Sequence, residues 1–192
     1  MEQPSSQPPV IRRVHLPDAQ AMHEFLSGLS GTSRRNRFHG AVNGVSPSLL
    51  RRLVTADRVR NAAWVACVWG KNGEEIVGEA VWHLVDPERG VAELAISVSD
   101  AWQGKGVADA LMRTLVKAAR EAGVRELYGD VLNANVRMLK FMARHGMEPG
   151  VCEPADDPSV TRIGCLFEGP NGADAKPAAQ SPWSKRLASR WS

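Results

Sequence analysis

The stretch Ser97-Val98-Ser99-Asp100-Ala101-Trp102-Gln103-Gly104-Lys105-Gly106-Val107-Ala108 sets the tightest limit on how this chain can fold. It closes an apolar run, Val91 to Ser99, that reads as a buried strand, and it opens a long amphipathic pattern. From Gly104 to about Ala122, the residues Val107, Leu111, Leu115, Ala118 and Ala122 share one helical face, and Gly123 terminates the helix. Val124 to Leu132 is a further strand. Strand, helix and strand in this order imply a parallel pair joined by a crossover helix. The first turn of such a helix presents backbone N–H groups at the positive end of its dipole. Glycines at 104 and 106 let the backbone approach a ligand closely, which makes the turn a phosphate cradle in principle. It is neither a Walker A loop nor a dinucleotide fingerprint, because no Gly-Lys-Ser/Thr follows and GxGxxG fails at Asp109. A tight turn with no ligand is the plain alternative.

The flanking sequence fixes the class as α/β. Val10 to Val14 starts a strand, and Asp18 is a candidate N-cap for a helix that carries Ala21, Met22, Phe25, Leu26 and Leu29. A Gly/Ser/Arg-rich connector holding Arg34, Arg35 and Arg37 follows, and Ser46-Pro47 opens a second short helix. Ala62 to Trp69 and Glu75 to Val85 read as strands joined by a Lys71-Asn72-Gly73 turn. A second turn at Asp86 to Gly90 leads to the strand before the glycine loop, so this region is an antiparallel meander. Asn135 to His145 is a further amphipathic helix ending at Gly146, and Val160 to Phe167 is a last strand. The expected organisation is a loose leader over 1–9, one domain over 10–168 and a Pro/Ala/Ser-rich, disordered basic tail over 169–192.

Composition narrows the function classes. Hydrophobic residues make up 43% and charged residues 23%, an ordinary globular balance. The net charge of +3 comes from the tail, since the 20 basic and 20 acidic residues through position 172 cancel. A polybasic nucleic-acid binder is therefore not expected. No 18-residue apolar run and no signal-peptide pattern appear, so neither membrane insertion nor secretion is expected. Three cysteines, Cys67, Cys152 and Cys165, without a CxxC or HxxxH pair fit a reducing cytoplasm and no metal site.

Gln103-Gly104-Lys105-Gly106-Val107-Ala108 resembles the Q/R-x-x-G-x-G/A pyrophosphate loop of the GNAT superfamily of N-acetyltransferases. Asn135 to Gly146 resembles that superfamily's next motif, an Asn, a helix and a Gly. The resemblance covers roughly residues 10–168. Within the superfamily, Ala92 to Val98 and Val131 to Leu139 are most similar to the bacterial protein lysine acetyltransferases, as is the arginine connector followed by Ser46 to Leu53. The implied fold is a mixed, mostly antiparallel sheet of six to seven strands flanked by about four helices.

The resemblance implies acetyl-CoA as co-substrate, with its pantetheine arm along Ile96, Ser97 and Val98 and its diphosphate on the N–H groups of Gln103 to Ala108. It implies that the backbone N–H of Val98 faces the thioester carbonyl, a donor worth about 3–4 kcal/mol in the transition state. Asn135 matches the Asn that bonds the cofactor arm or an ordered water, and it is equally a helix N-cap. The acceptor amine must lose a proton, which for a lysine at pH 7 costs about 4.6 kcal/mol. Glu93 is the candidate base. It is the only charge in an otherwise apolar central strand, and the protein lysine acetyltransferases carry their base at the matching position. An ion pair with a nearby arginine is its plain alternative. Glu79 is a rival base on the preceding strand, on one face with Val81 and His83. Where many members carry a Tyr as general acid this chain has Met142, and its single Tyr is Tyr128. The arginine connector reads as a phosphate or acidic-target contact, or as a solvated loop.

The expected activity is acetyl transfer from acetyl-CoA to a primary amine by direct attack in a ternary complex, with a protein lysine as first-choice acceptor. A polyamine, amino acid or antibiotic amine is the alternative acceptor. A non-catalytic acyl-CoA-binding sensor is the rival from another class, and it would not need Glu93.

Overall fold

The computed structural model describes residues 8–39, 45–55, 60–70 and 73–167. The tail over 169–192, most of the leader, and Lys71 and Asn72 of the expected hairpin turn lie outside the described residues. Seven strands form one sheet: β1 (Val10–Arg13), β2 (Asn61–Gly70), β3 (Gly73–Asp86), β4 (Val91–Val98), β5 (Glu126–Leu132), β6 (Glu148–Pro149) and β7 (Val160–Leu166). Their hydrogen-bonded order is β1-β2-β3-β4-β5-β7-β6. The β4–β5 pair is parallel, and β1–β2, β2–β3, β5–β7 and β6–β7 are antiparallel. Five α-helices are described: α1 (Ala19–Gly28), α2 (Gly31–Phe38), α3 (Pro47–Val54), α4 (Val107–Glu121) and α5 (Val136–Arg144). The mixed, mostly antiparallel sheet expected from the sequence is therefore present, with α4 as the crossover between β4 and β5.

The chain resolves into two compact units, residues 1–83 with 94–122, and residues 84–93 with 123–192. In the first, β2 is buried from Ala62 to Val68, which explains its continuous apolar run. Ala63, Val65 and Cys67 pack with Met22, Phe25, Leu26 and Leu29 of the α1 region and with Leu53 and Val54 of α3. On α4 the buried positions are Val107, Leu111, Met112, Leu115 and Ala119. The stripe thus follows 107, 111, 115 and 119, whereas the expected Ala118 and Ala122 are half-buried and exposed. Gly78 on β3 faces this helix, and a Cβ there would lie 3.1 Å from Leu111 Cδ1 and 3.3 Å from Val107 Cγ1.

In the second unit, β7 pairs with β5 along seven residues, from Glu126↔Leu166 to Leu132↔Val160. Gly164 is required there, because an added Cβ would lie 2.5 Å from Cys152 Sγ and 2.7 Å from the Leu127 carbonyl oxygen. Asn135 caps α5, its side chain accepting the Met138 N–H at 3.2 Å.

Two expectations change. The arginine connector is not a loop but helix α2, capped by Ser30, whose hydroxyl accepts the Ser33 N–H at 3.2 Å. The two-residue strand β6 was not anticipated. It is too short to carry a periodic signal.

Candidate active site

The glycine loop has the conformation its sequence requires. Gly104 and Gly106 take φ of 76° and 80°, left-handed values that a side chain disfavours. Gly104, Lys105 and Gly106 are exposed, and no atom lies within 4 Å of where a Gly106 Cβ would sit. Gly106 is the N-cap of α4 and provides no side-chain acceptor. The first intrahelical bond runs from Ala110 N–H to Gly106 C=O at 3.1 Å. The N–H groups of the first turn therefore have no acceptor within the helix. An uncapped N-terminus facing open space suits an anionic group such as a diphosphate.

The end of β4 adds a second element. Ser99 donates its N–H to Val77 C=O of β3 at 2.9 Å. Backbone polar groups alternate sides along a strand, so the N–H and C=O of Val98 project to the opposite edge of β4. Gln103 reaches the same edge. Its Nε2 donates to Val98 C=O at 3.1 Å and to Ser33 Oγ at 3.2 Å. Gln103 thus takes part in the loop through its side chain as a brace, a role beyond the backbone donor expected of it. Ile96 and Val98 are buried, as is Ser97, whose hydroxyl donates to Glu79. Lys105 lies 4.9 Å over the Trp102 ring.

Glu79 is fully buried on β3, opposite Val65 of β2, on the sheet face that packs against α1 and α3. Its Oε1 accepts from Arg37 Nε at 2.5 Å and from Ser97 Oγ at 3.1 Å. The connector arginines separate by role. Arg37 pairs with Glu79. Arg34 donates to Ser27 C=O and Leu29 C=O, satisfying carbonyls at the end of α1. Arg35 is exposed. A buried carboxylate held by a guanidinium is poorly placed to take a proton from an incoming amine.

In the second unit, Glu93 is half-buried on β4 and pairs across the ladder with Tyr128. Burial, then the Glu93 charge, pushes the Tyr128 phenol up. Arg162 stacks 4.0 Å over the Tyr128 ring and makes a bidentate pair with Asp130 at 2.7 and 2.8 Å. Tyr128 and Arg162 line an open cleft together with Asp86, Arg89, Glu126 and Glu153. Glu93 therefore acts electrostatically on two residues that wall a solvent-accessible cleft. Met142 is buried and offers no proton.

Burial pushes the Cys67 thiol up to about 12 and moves Cys152 upward as well. Among the described residues no group of three His, Cys, Asp or Glu is arranged to hold a metal, and no helix is long and apolar enough to cross a membrane.

Residues 38–147 match the model of the acetyltransferase (GNAT) family. The chain belongs to the GNAT family. The acetyltransferase PA5475 of Pseudomonas aeruginosa is 31% identical over 151 residues, covering 79% of this chain and 80% of that protein. The acetyltransferase Pat of Mycolicibacterium smegmatis is 31% identical over 99 residues, 52% of this chain but only 29% of the longer relative. The crystal structure of the GNAT domain of S. lividans PAT superposes with a TM-score of 0.74 at 25% identity, covering 83% of this chain and 90% of that one. The structure of yncA, a putative acetyltransferase from Salmonella typhimurium with its cofactor acetyl-CoA, has the same fold, with a TM-score of 0.65 at 18% identity over 91% and 99% of the two chains. The chain is therefore an acetyl-CoA-dependent acyltransferase, and its similarities support the bacterial Pat branch of the family.

Proposed function

We propose that this enzyme acetylates the side-chain amine of protein lysines, in the cytoplasm, by direct transfer within a ternary complex over residues 10–168. The observation that carries the reading is the half-buried Glu93 on β4, paired across the ladder with Tyr128, which lines an open cleft. An open cleft accepts a side chain presented by a macromolecule.

Acetyl-CoA supplies an activated acyl group as a thioester. The remaining work falls to the chain. The first-turn N–H groups of α4 and the loop Gln103 to Ala108 hold the diphosphate, with Ile96, Ser97 and Val98 along the pantetheine arm. The Val98 N–H donates to the carbonyl oxygen on which negative charge grows. Glu93 takes the proton from the acceptor ammonium, directly or through a water, so that the amine lone pair attacks the thioester carbon, the C–S bond breaks and the CoA thiolate leaves to be protonated by water. Asn135 caps α5 and contributes to the cofactor arm. The raised thiols of Cys67 and Cys152 support transfer without a cysteine intermediate.

The test is Glu93→Gln. Turnover with a lysine acceptor should fall about 10²–10⁴-fold while acetyl-CoA binding by calorimetry stays unchanged. An unchanged turnover removes Glu93 as base. Wild-type protein that binds acetyl-CoA but acetylates neither protein nor small amines supports the sensor reading instead. A polyamine alternative draws on the cleft's three carboxylates, Asp86, Glu126 and Glu153. Acetylation of spermidine in preference to lysine substrates would establish it.

A further inference from the structure

We propose that Asp100 and Gln103 are positioning residues that shape the cofactor loop by fastening it to helix α2. The inference rests on the reading that residues 103–108 hold the diphosphate. Three donors of the α2 cap region converge on the Asp100 carboxylate. Ser30 N–H donates to Oδ2 at 3.1 Å, and the hydroxyls of Ser30 and Ser33 both donate to Oδ1 at 2.9 Å. Ser33 Oγ in turn accepts Gln103 Nε2, which also reaches Val98 C=O. One connected set of bonds therefore runs from the first turn of α2 through Asp100 and Gln103 to the end of β4.

This arrangement answers two physical problems. The first concerns α2 itself. None of its residues is fully buried, and Phe38 at its C-terminal end is its one apolar side chain packed against the core. It is fixed by polar links at both ends, Ser30 and Ser33 to Asp100, and Arg37 to buried Glu79. A carboxylate at a helix N-terminus also meets the positive end of the dipole, and Asp100 supplies it from 70 residues further along the chain. Those bonds hold the Asp100 carboxyl below its ordinary range, the Ser30 N–H contributing most. The second concerns the loop. Gly104 and Gly106 give it the turn it needs but also the most backbone freedom to lose. The Gln103 amide, held between Val98 and Ser33, restricts that freedom before the cofactor arrives, and preorganisation of this kind raises affinity. Engaging Asp100 with α2 also turns a negative charge four residues before Gly104 away from the role of competitor for the same N–H groups.

The experiment compares two acyl donors on the full chain: acetyl-CoA, and S-acetylpantetheine, which lacks the diphosphate. Asp100→Ala and Ser33→Ala should each weaken acetyl-CoA binding by about tenfold, the scale of one charge-assisted hydrogen bond. Combined, they should cost little more than either alone, because they break the same chain of bonds. Asp100→Asn, which keeps one acceptor oxygen, should recover part of the loss. Binding of S-acetylpantetheine, followed by NMR titration, should be the same in the wild type and all four variants. Equal weakening of both donors, tracking a fall in melting temperature, overturns the proposal in favour of a general structural role. Unchanged acetyl-CoA affinity in Asp100→Ala overturns it alone when Gly106→Glu still abolishes binding. Retained affinity in Gly106→Glu removes the cradle reading and this inference with it.

Discussion

At the scale of single residues, charge burial separates two glutamates that the sequence presents as rivals. Glu79 is fully buried and its guanidinium partner Arg37 is nearly so, with side-chain exposures of 0% and 10%. A pair of this kind gains little over an apolar replacement, yet removal of one member strands the other. Arg37→Ala should therefore cost about 3–5 kcal/mol in urea unfolding. Arg37→Met combined with Glu79→Leu should leave stability equal to or above that of the parent. A mild effect of Arg37→Ala contradicts the buried pair. Arg12 behaves differently. It holds both Asp18 and Glu74, and its bonds draw these carboxyls below their ordinary 3.8 and 4.5. A depressed carboxyl contributes stability that is complete above its unfolded value and is lost as pH falls through its folded one. The stability difference between wild type and Arg12→Leu should thus be full at neutral pH and fade as pH drops below that ordinary range. A pH-independent difference excludes the ion-pair account. The sequence displayed Glu93 as the lone charge of an apolar strand. It could show the face of Glu79 but not its partner, because Arg37 is 42 residues away and meets it only through the fold.

At the scale of elements, what could be read from sequence followed the strength of local signals. Helix α4 and strands β2 to β5 carry long apolar patterns and were placed to within a few residues. Helix α2 carries no such signal, because Gly31-Thr32-Ser33-Arg34-Arg35-Asn36-Arg37-Phe38 has no apolar stripe and its polar anchors, Asp100 and Glu79, are remote in sequence. The spacing of Ser30 and Ser33 is the one local trace of its N-terminus, a capping hydroxyl followed three residues later by the N–H that donates to it. The glycine loop is legible because Gly104 and Gly106 mark where the backbone takes left-handed values that other residues disfavour. The brace by Gln103 is not, since an amide side chain names no partner until the strand edge and α2 are in place. A consequence concerns local stability. Elements with few buried apolar contacts open more readily than those anchored along their length in a core. Hydrogen exchange should therefore find α2 amides exchanging well before those of α4, whose Leu111, Met112 and Leu115 are fully buried. Comparable protection in the two helices would show that α2 has an anchor beyond these links.

At the scale of the whole molecule, the decisive behaviour is the order of chemical events. A ping-pong route needs a nucleophile on the protein that carries the acetyl group between two half-reactions. Cysteine is the residue suited to this, and its reactive form is the thiolate. Cys67 is buried with its thiol pushed up to about 12, and Cys152 is buried and moved in the same direction, so both stay protonated at neutral pH. The proposed direct transfer, with Glu93 as base, requires instead that donor and acceptor are bound together. Initial rates measured at several fixed acetyl-CoA concentrations against a lysine substrate should give intersecting double-reciprocal lines. Cys67→Ala and Cys152→Ala should each retain turnover within a few-fold of wild type. Their stability should be lower, because each leaves a small gap in a packed cluster. Parallel lines, together with an acetylated enzyme trapped when the acceptor is withheld, would replace direct transfer by a covalent route. The trapped residue would then identify a nucleophile outside the strand and loop described for this site.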